Sequence, residues 1–98
     1  MSHTFEELVA KQRAANEAHA RVEQLRESYG PPAQVRWTGE QSETYETALR
    51  AWRDLARDLQ AALNEYATDE GRPRPEVEAD VERAARAARG DGDGEGEA

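Results

Sequence analysis

The sequence predicts an all-α protein: an antiparallel two-helix hairpin that becomes a helical bundle on dimerisation, with a short third helix and a disordered acidic C-terminal tail. Ala and Arg are abundant and Ile is absent, a composition that favours helix over strand. Two capping signatures each precede apolar residues at helical spacing, and Gly-Pro breaks follow both stretches. The expected organisation is a helical hairpin over 1–70, a Gly/Pro linker over 71–75, an amphipathic helix over 76–89 and a tail over 90–98.

The first helix is predicted to begin at Phe5. Thr4 and Glu7 have the spacing of a capping box, in which each side chain bonds the backbone N–H of the other residue. Apolar residues then recur along one narrow face as far as Tyr29. Gly30, followed by two prolines, predicts that the helix ends at Ser28 or Tyr29.

The second helix is predicted to begin at Gly39, because Thr38 and Gln41 repeat the capping-box spacing. Its apolar residues recur every seven positions, which places them on one broad helical face. The three rows are Tyr45, Trp52, Leu59 and Tyr66; Ala48, Leu55 and Ala62; and Leu49, Ala56 and Leu63.

A linker and a weaker helix follow. Gly71, Pro73 and Pro75 interrupt the second helix, and Pro75 suits the first position of a third. The apolar stripe of that helix has only two valines, Val77 and Val81, beside alanines. We therefore expect it to fray or to dock on another surface. The final stretch, 90–98, alternates glycine with acidic residues and is predicted to be a disordered tail.

Composition argues against several classes of function. The 13 Lys and Arg against 21 Asp and Glu give a net charge of −8 over 98 residues, which disfavours nucleic acid and anionic membrane surfaces as partners. Cysteine is absent, and the two histidines, His3 and His19, have no neighbours spaced for catalysis or metal binding. We expect no enzyme activity, no cofactor and no metal. No apolar run is long enough for membrane insertion, and we expect no signal peptide because residues 1–7 lack a basic region and an apolar region.

The apolar face of the second helix is larger than a lone hairpin can cover, so we expect a homodimer or a heterodimer with another helical protein. Trp52 is the expected hot spot of that interface. The predicted interface residues are Leu8, Val22, Leu25, Tyr45, Leu49, Trp52, Leu55, Leu59, Leu63 and Tyr66.

A short motif lies in the connector between the two long helices: Trp37-Thr38-Gly39. Over Phe5 to Tyr66 the arrangement resembles the Trp-x-Gly (WXG) family of small helical hairpins, which are substrates of type VII secretion and usually work as dimeric four-helix bundles. The resemblance implies that Tyr66 and Glu70 form an export signal of the Tyr-x-x-x-Asp/Glu type. It also implies secretion without a cleavable signal peptide; otherwise the protein is expected to be cytoplasmic.

The turn motif also has a physical interpretation. Trp37 is expected to fold over the hairpin end, and Gly39 to let the first turn of the second helix approach the other helix closely. A purely structural alternative stays open, in which Trp37 is a core residue beside the cap and Tyr66 is the last member of the heptad row.

The sequence thus favours a non-enzymatic protein–protein interaction module that resembles a secreted WXG-type dimer. The alternative is an intracellular helical adaptor or regulator, for example a phage- or plasmid-encoded accessory protein. In that case Pro73 and Pro75 form a hinge and the third helix docks a protein partner. A third hypothesis is that the acidic tail mimics nucleic acid for a basic partner.

Overall fold

A computed structural model describes residues 3–97, with side chains described over 3–87. Three helices follow one another: α1 (Phe5–Tyr29), α2 (Gly39–Glu70) and α3 (Arg74–Glu97). No strand occurs within the described part of the chain. The prediction of an all-α protein is therefore confirmed.

Both long helices begin with the predicted capping box. The Thr4 hydroxyl oxygen accepts the N–H of Glu7 at 3.0 Å, and the Glu7 carboxylate accepts the N–H of Thr4 at 3.0 Å. Thr38 and Gln41 repeat this pair of bonds at 3.0 and 2.9 Å. Each box satisfies backbone donors that have no partner within the first turn.

Glycine terminates both helices with a positive φ. Gly30 follows α1 at φ 88°, and Gly71 follows α2 in the left-handed region at φ 66°. The N–H of Gly71 donates to the Thr68 carbonyl at 3.2 Å, and the N–H of Arg72 donates to the Ala67 carbonyl at 3.0 Å. This bonding pattern is a Schellman motif, and it ends α2 at Glu70.

The linker between α2 and α3 covers 71–73, two residues fewer than predicted. α3 begins at Arg74, and the Pro73 carbonyl accepts the N–H groups of Glu76 and Val77 at 3.1 and 3.2 Å. Pro75 thus lies at the second helical position instead of the first. The helix tolerates it there because the N–H groups of the first turn have no intrahelical acceptor to lose.

Contacts between α1 and α2 join the beginning of one helix to the end of the other. The rings of Phe5 and Tyr66 lie 6.3 Å apart, and Lys11 Nζ is 2.6 Å from an Asp58 carboxylate oxygen. Farther along, the His19 and Trp52 rings lie 4.8 Å apart.

The core lies where α3 packs against this helix pair. Its largest fully buried side chains are Leu8, Leu63, Val77 and Val81, so each of the three helices contributes. Of the two outcomes expected for the third helix, docking is the one observed. The core cluster consists of Leu8, Ala15, Leu59, Ala62, Leu63, Ala67, Val77 and Val81, with Phe5, Val9 and Tyr66 packed at its edge.

The bounds of α3 reach Glu97, past the predicted helix end at Arg89. The side chains of 88–97, together with Met1, Ser2 and Ala98, lie outside the described residues. The predicted tail over 90–98 falls on that stretch, and its disorder stays a prediction.

Candidate interaction surface on the second helix

Half of the predicted interface residues contribute to the interior of the single chain. Leu8, Val22, Leu25, Leu59 and Leu63 are each at most 6% exposed. Their apolar surface is covered by the three helices themselves, so they are not available to a partner that docks on the folded chain.

The other five predicted interface residues retain solvent exposure. Tyr45, Leu49, Trp52 and Tyr66 are half-buried, and Leu55 is 36% exposed. Within α2, the core cluster shared with Val77 and Val81 begins at Leu59 and extends to Ala67. The preceding turns of α2 therefore carry apolar side chains outside that cluster. We call Tyr45, Leu49, Trp52 and Leu55 the open face.

Trp52 lies at the centre of the open face. Its ring is inclined at 50° to the imidazole of His19, which is itself exposed. His19 Nε2 lies 3.6 Å from a carboxylate oxygen of Glu23 one turn along α1. The indole therefore packs against α1 while part of its apolar surface stays in contact with water.

The turn between α1 and α2 is closed by three aromatic rings. The Trp37 ring lies 5.3 Å from Tyr29 and 5.0 Å from Tyr45, in edge-to-face orientations of 75° and 69°. Its indole Nε1–H donates a hydrogen bond to the Gly30 carbonyl oxygen at 2.9 Å. Edge-to-face pairs at such distances are a favoured aromatic geometry, and the bond satisfies the one polar group of the indole. These contacts join Trp37 to the end of α1 and to the first turns of α2.

The expectation for Gly39 is wrong. A Cβ built at Gly39 would meet nothing within 4 Å, and its φ is not positive. The glycine that the turn requires is Gly30, where φ is +88° and a Cβ would lie 3.1 Å from Val35 Cγ2. No other part of the chain therefore approaches Gly39 closely.

The two residues of the predicted export signal differ in their surroundings. Tyr66 is half-buried, and its ring is tilted 54° against that of Phe5. Glu70 is exposed at the last position of α2. Residues four apart on a helix face the same side, so both side chains lie on one surface, but only Tyr66 takes part in packing.

Polar contacts join α1 to α2 at two places. His3, just before α1, has its Nε2 2.8 Å from a carboxylate oxygen of Glu65 and its Nδ1 3.7 Å from a carboxylate oxygen of Glu7. Lys11 pairs with Asp58. These contacts could not be predicted from the sequence, because the partners are 62 and 47 residues apart. Within the described residues, no three His, Asp or Glu side chains are grouped so that they could hold a metal ion.

A second group of charges lies along the linker and α3. Arg72 Nη2 is 2.7 Å from an Asp80 carboxylate oxygen, and Arg83 Nη1 is 3.1 Å from the other oxygen. Hydrogen bonds from Arg72 and then from Arg83 hold the pKa of the Asp80 carboxyl below its ordinary value, because they stabilise the carboxylate. The same contacts with Asp80 and Glu76 raise the pKa of Arg72.

Comparison with protein-family models, with curated proteins and with solved structures finds no match to this chain. None of the helices in the described part of the chain has the length and apolar composition needed to cross a bilayer.

Proposed function

We propose that the chain is a non-enzymatic helical protein–protein interaction module, similar to a secreted WXG-type hairpin that works as a dimer. In this proposal α1 and α2 form an antiparallel hairpin, and the open face binds a second helical chain. One observation carries it: the half-buried Leu49 and Trp52 and the exposed Leu55 leave apolar surface in water next to a well-packed core.

The residue types of the open face fit a protein interface. Tyr and Trp are enriched among residues that dominate binding energy, because large rigid rings bury much surface at little cost in side-chain entropy. Arg50, Arg53 and Arg57, all exposed, lie on the same stretch of α2 and would form a polar rim. A partner on the open face would bury the part of the Trp52 indole that His19 leaves in contact with water.

Light scattering over a hundredfold range of concentration tests the proposal. We expect a dimer for the parent chain and at least a tenfold higher Kd for Leu55→Glu, because a charge at an exposed position spares the core but is costly inside an interface. Thr47→Glu, which adds the same charge at an exposed position outside the open face and its rim, is the matched control and should leave the Kd unchanged. A dimer that persists in both Leu55→Glu and Trp52→Ala would contradict this surface assignment.

The export part of the proposal rests on Tyr66 and Glu70. Tyr66→Ala is a poor test by itself, since the substitution also removes the ring contact with Phe5. Glu70→Gln is sharper, because Glu70 is exposed and its loss leaves the fold intact. Secretion from the natural host should fall with Glu70→Gln and stay unchanged with the neighbouring control Asp69→Asn. Equal secretion of both variants would remove the export signal from the proposal.

The alternative function, an intracellular helical adaptor or regulator, is favoured by a different observation. Val77 and Val81 are fully buried against α1 and α2, so one chain completes the core at that end without a second copy. This alternative predicts a folded monomer at every concentration in the light-scattering experiment, together with retention inside the cell.

A further inference from the structure

The polar contacts of α3 differ in kind from those between α1 and α2. Over the described side chains, every ion pair of α3 is made within the helix or with the linker residue Arg72. None reaches α1 or α2. The pairs are Arg72–Glu76, Arg72–Asp80, Arg74–Glu78, Arg83–Asp80 and Arg86–Glu82.

Docking of α3 on the other two helices is consequently apolar. Val77, Val81 and Ala85 are at most 1% exposed and follow one another at four-residue intervals, which places them on a single stripe. Among the described side chains, no hydrogen bond joins α3 to α1 or α2. The helix could therefore leave its position without breaking one. Its own ion pairs would accompany it and continue to support its helical form.

The groove under this stripe cannot stay empty in water. Leu8 and Leu63 are completely buried there, and Ala67 is nearly so. Any occupant must present small apolar side chains at four-residue spacing, which is the chemistry that α3 supplies. A second copy of the chain carries the same stripe.

The hinge has the properties that exchange requires. Only residues 71–73 separate α2 from α3. The described polar contacts of this linker are the backbone hydrogen bonds at the end of α2 and the start of α3 and the ion pairs of Arg72 with Glu76 and Asp80, and none of them reaches α1. Short hinges that hold an element folded back on its own chain favour exchange of that element between copies.

We propose that the groove formed by Leu8, Leu63 and Ala67 is a helix-binding site with α3 as its exchangeable ligand, and that two copies of the chain exchange α3 reciprocally. This site lies apart from the open face, and the proposal does not depend on the proposed function.

Changing the length of the hinge in the full chain tests the exchange. Deletion of Arg72 and Pro73 prevents α3 from folding back, so light scattering should show a dimer across a hundredfold range of concentration. In a Leu55→Glu background, which removes association through the open face, a flexible Gly-Ser insert after Arg72 should give a monomer over the same range, because α3 then reaches its own groove easily.

Two further substitutions in the hinge-deleted chain identify the surface that holds the dimer. With Leu55→Glu also present to remove open-face association, Val81→Asp should abolish the dimer, and the milder Val81→Ala should raise its Kd at least tenfold while helix content is retained. Leu55→Glu, on the open face, should leave the dimer intact. A hinge-deleted monomer, a dimer that survives Val81→Asp, or a dimer that is lost with Leu55→Glu would each overturn the exchange of α3.

Discussion

The indole N–H of Trp37 donates a hydrogen bond to the carbonyl oxygen of Gly30. The bond joins the residue before the N-cap of α2 to the residue that caps the end of α1. The acceptor is the only glycine of the turn with a positive φ, and its ψ of 166° places it in a region that other residues rarely adopt. The turn thus depends structurally on Trp37 and Gly30. The backbone conformation at Gly39 does not require glycine.

Alanine substitutions at the two glycines should therefore have opposite effects. Gly30→Ala forces a Cβ against Val35 and strains the backbone, so the free energy of unfolding should fall by about 1–3 kcal/mol. Gly39→Ala should raise it by about 0.4–1 kcal/mol, because the unfolded chain loses freedom while the folded chain has room for the methyl group. Chemical denaturation measures both, and equal destabilisation by the two changes would refute this assignment.

Replacement of Trp37 separates its hydrogen bond from its ring contacts. Trp37→Phe retains a ring between Tyr29 and Tyr45 but loses the bond to Gly30, a loss of about 1 kcal/mol. Trp37→Ala also removes two aromatic pairs worth about 0.5–1.5 kcal/mol each, so its midpoint of denaturation should be clearly lower. If both variants unfold at the same denaturant concentration, the rings do not stabilise the turn.

Two leucines of α2 should respond very differently to truncation. Leu63→Ala opens a cavity among fully buried side chains, and we expect a loss of about 2–5 kcal/mol in the free energy of unfolding. Leu55→Ala changes a side chain that is 36% exposed and should alter the stability of the monomer by no more than about 0.5 kcal/mol. Thermal unfolding at low protein concentration compares them directly. Similar melting temperatures would mean that Leu63 is not at the centre of the core.

The contacts of Asp80 predict a dependence of stability on pH. Hydrogen bonds from Arg72 and Arg83 lower the pKa of the folded carboxyl below its ordinary value of 3.8. Their stabilising contribution is thus present above that value and is lost as the pH falls through the lowered pKa. The side chains of Arg72 and Asp80 are 37% and 35% exposed, so the effect is small and screened by salt. Denaturation midpoints of the parent chain and of Asp80→Asn should differ at pH 7 and converge once the pH has fallen below the lowered pKa of Asp80; a constant difference would contradict the prediction.

The ends of the helices could be predicted from the sequence because local chemistry decides them. The Thr4 and Thr38 boxes act within four residues of the chain, and Gly30 and Gly71 supply backbone conformations that few other residues adopt. The start of α3 differed from the prediction only because proline is tolerated at more than one position of a first turn.

The packing could not be predicted in the same way. The spacing of Val77 and Val81 is the same whether the helix is frayed or docked. The periodicity alone therefore could not predict where α3 packs. Similarly, the heptad rows identify Leu59, Leu63 and Leu55 as one apolar face but not the helix that covers each residue. In the structure the first two are buried with α3, whereas Leu55 stays exposed. The role expected of Gly39 failed because it assumed a helix crossing that only the tertiary geometry decides.

The position of the core sets the order in which backbone amides should exchange with solvent deuterium. All four of the largest fully buried side chains belong to the core cluster that the three helices share: Leu8, Leu63, Val77 and Val81. Amides of α2 near Leu63 should therefore be released only by global unfolding, while those near the half-buried Tyr45 should be released by local opening. Helix α2 would then exchange slowly near Leu63 and rapidly near Tyr45. A ligand bound to the open face would be detected as slower amide exchange near the turn between α1 and α2.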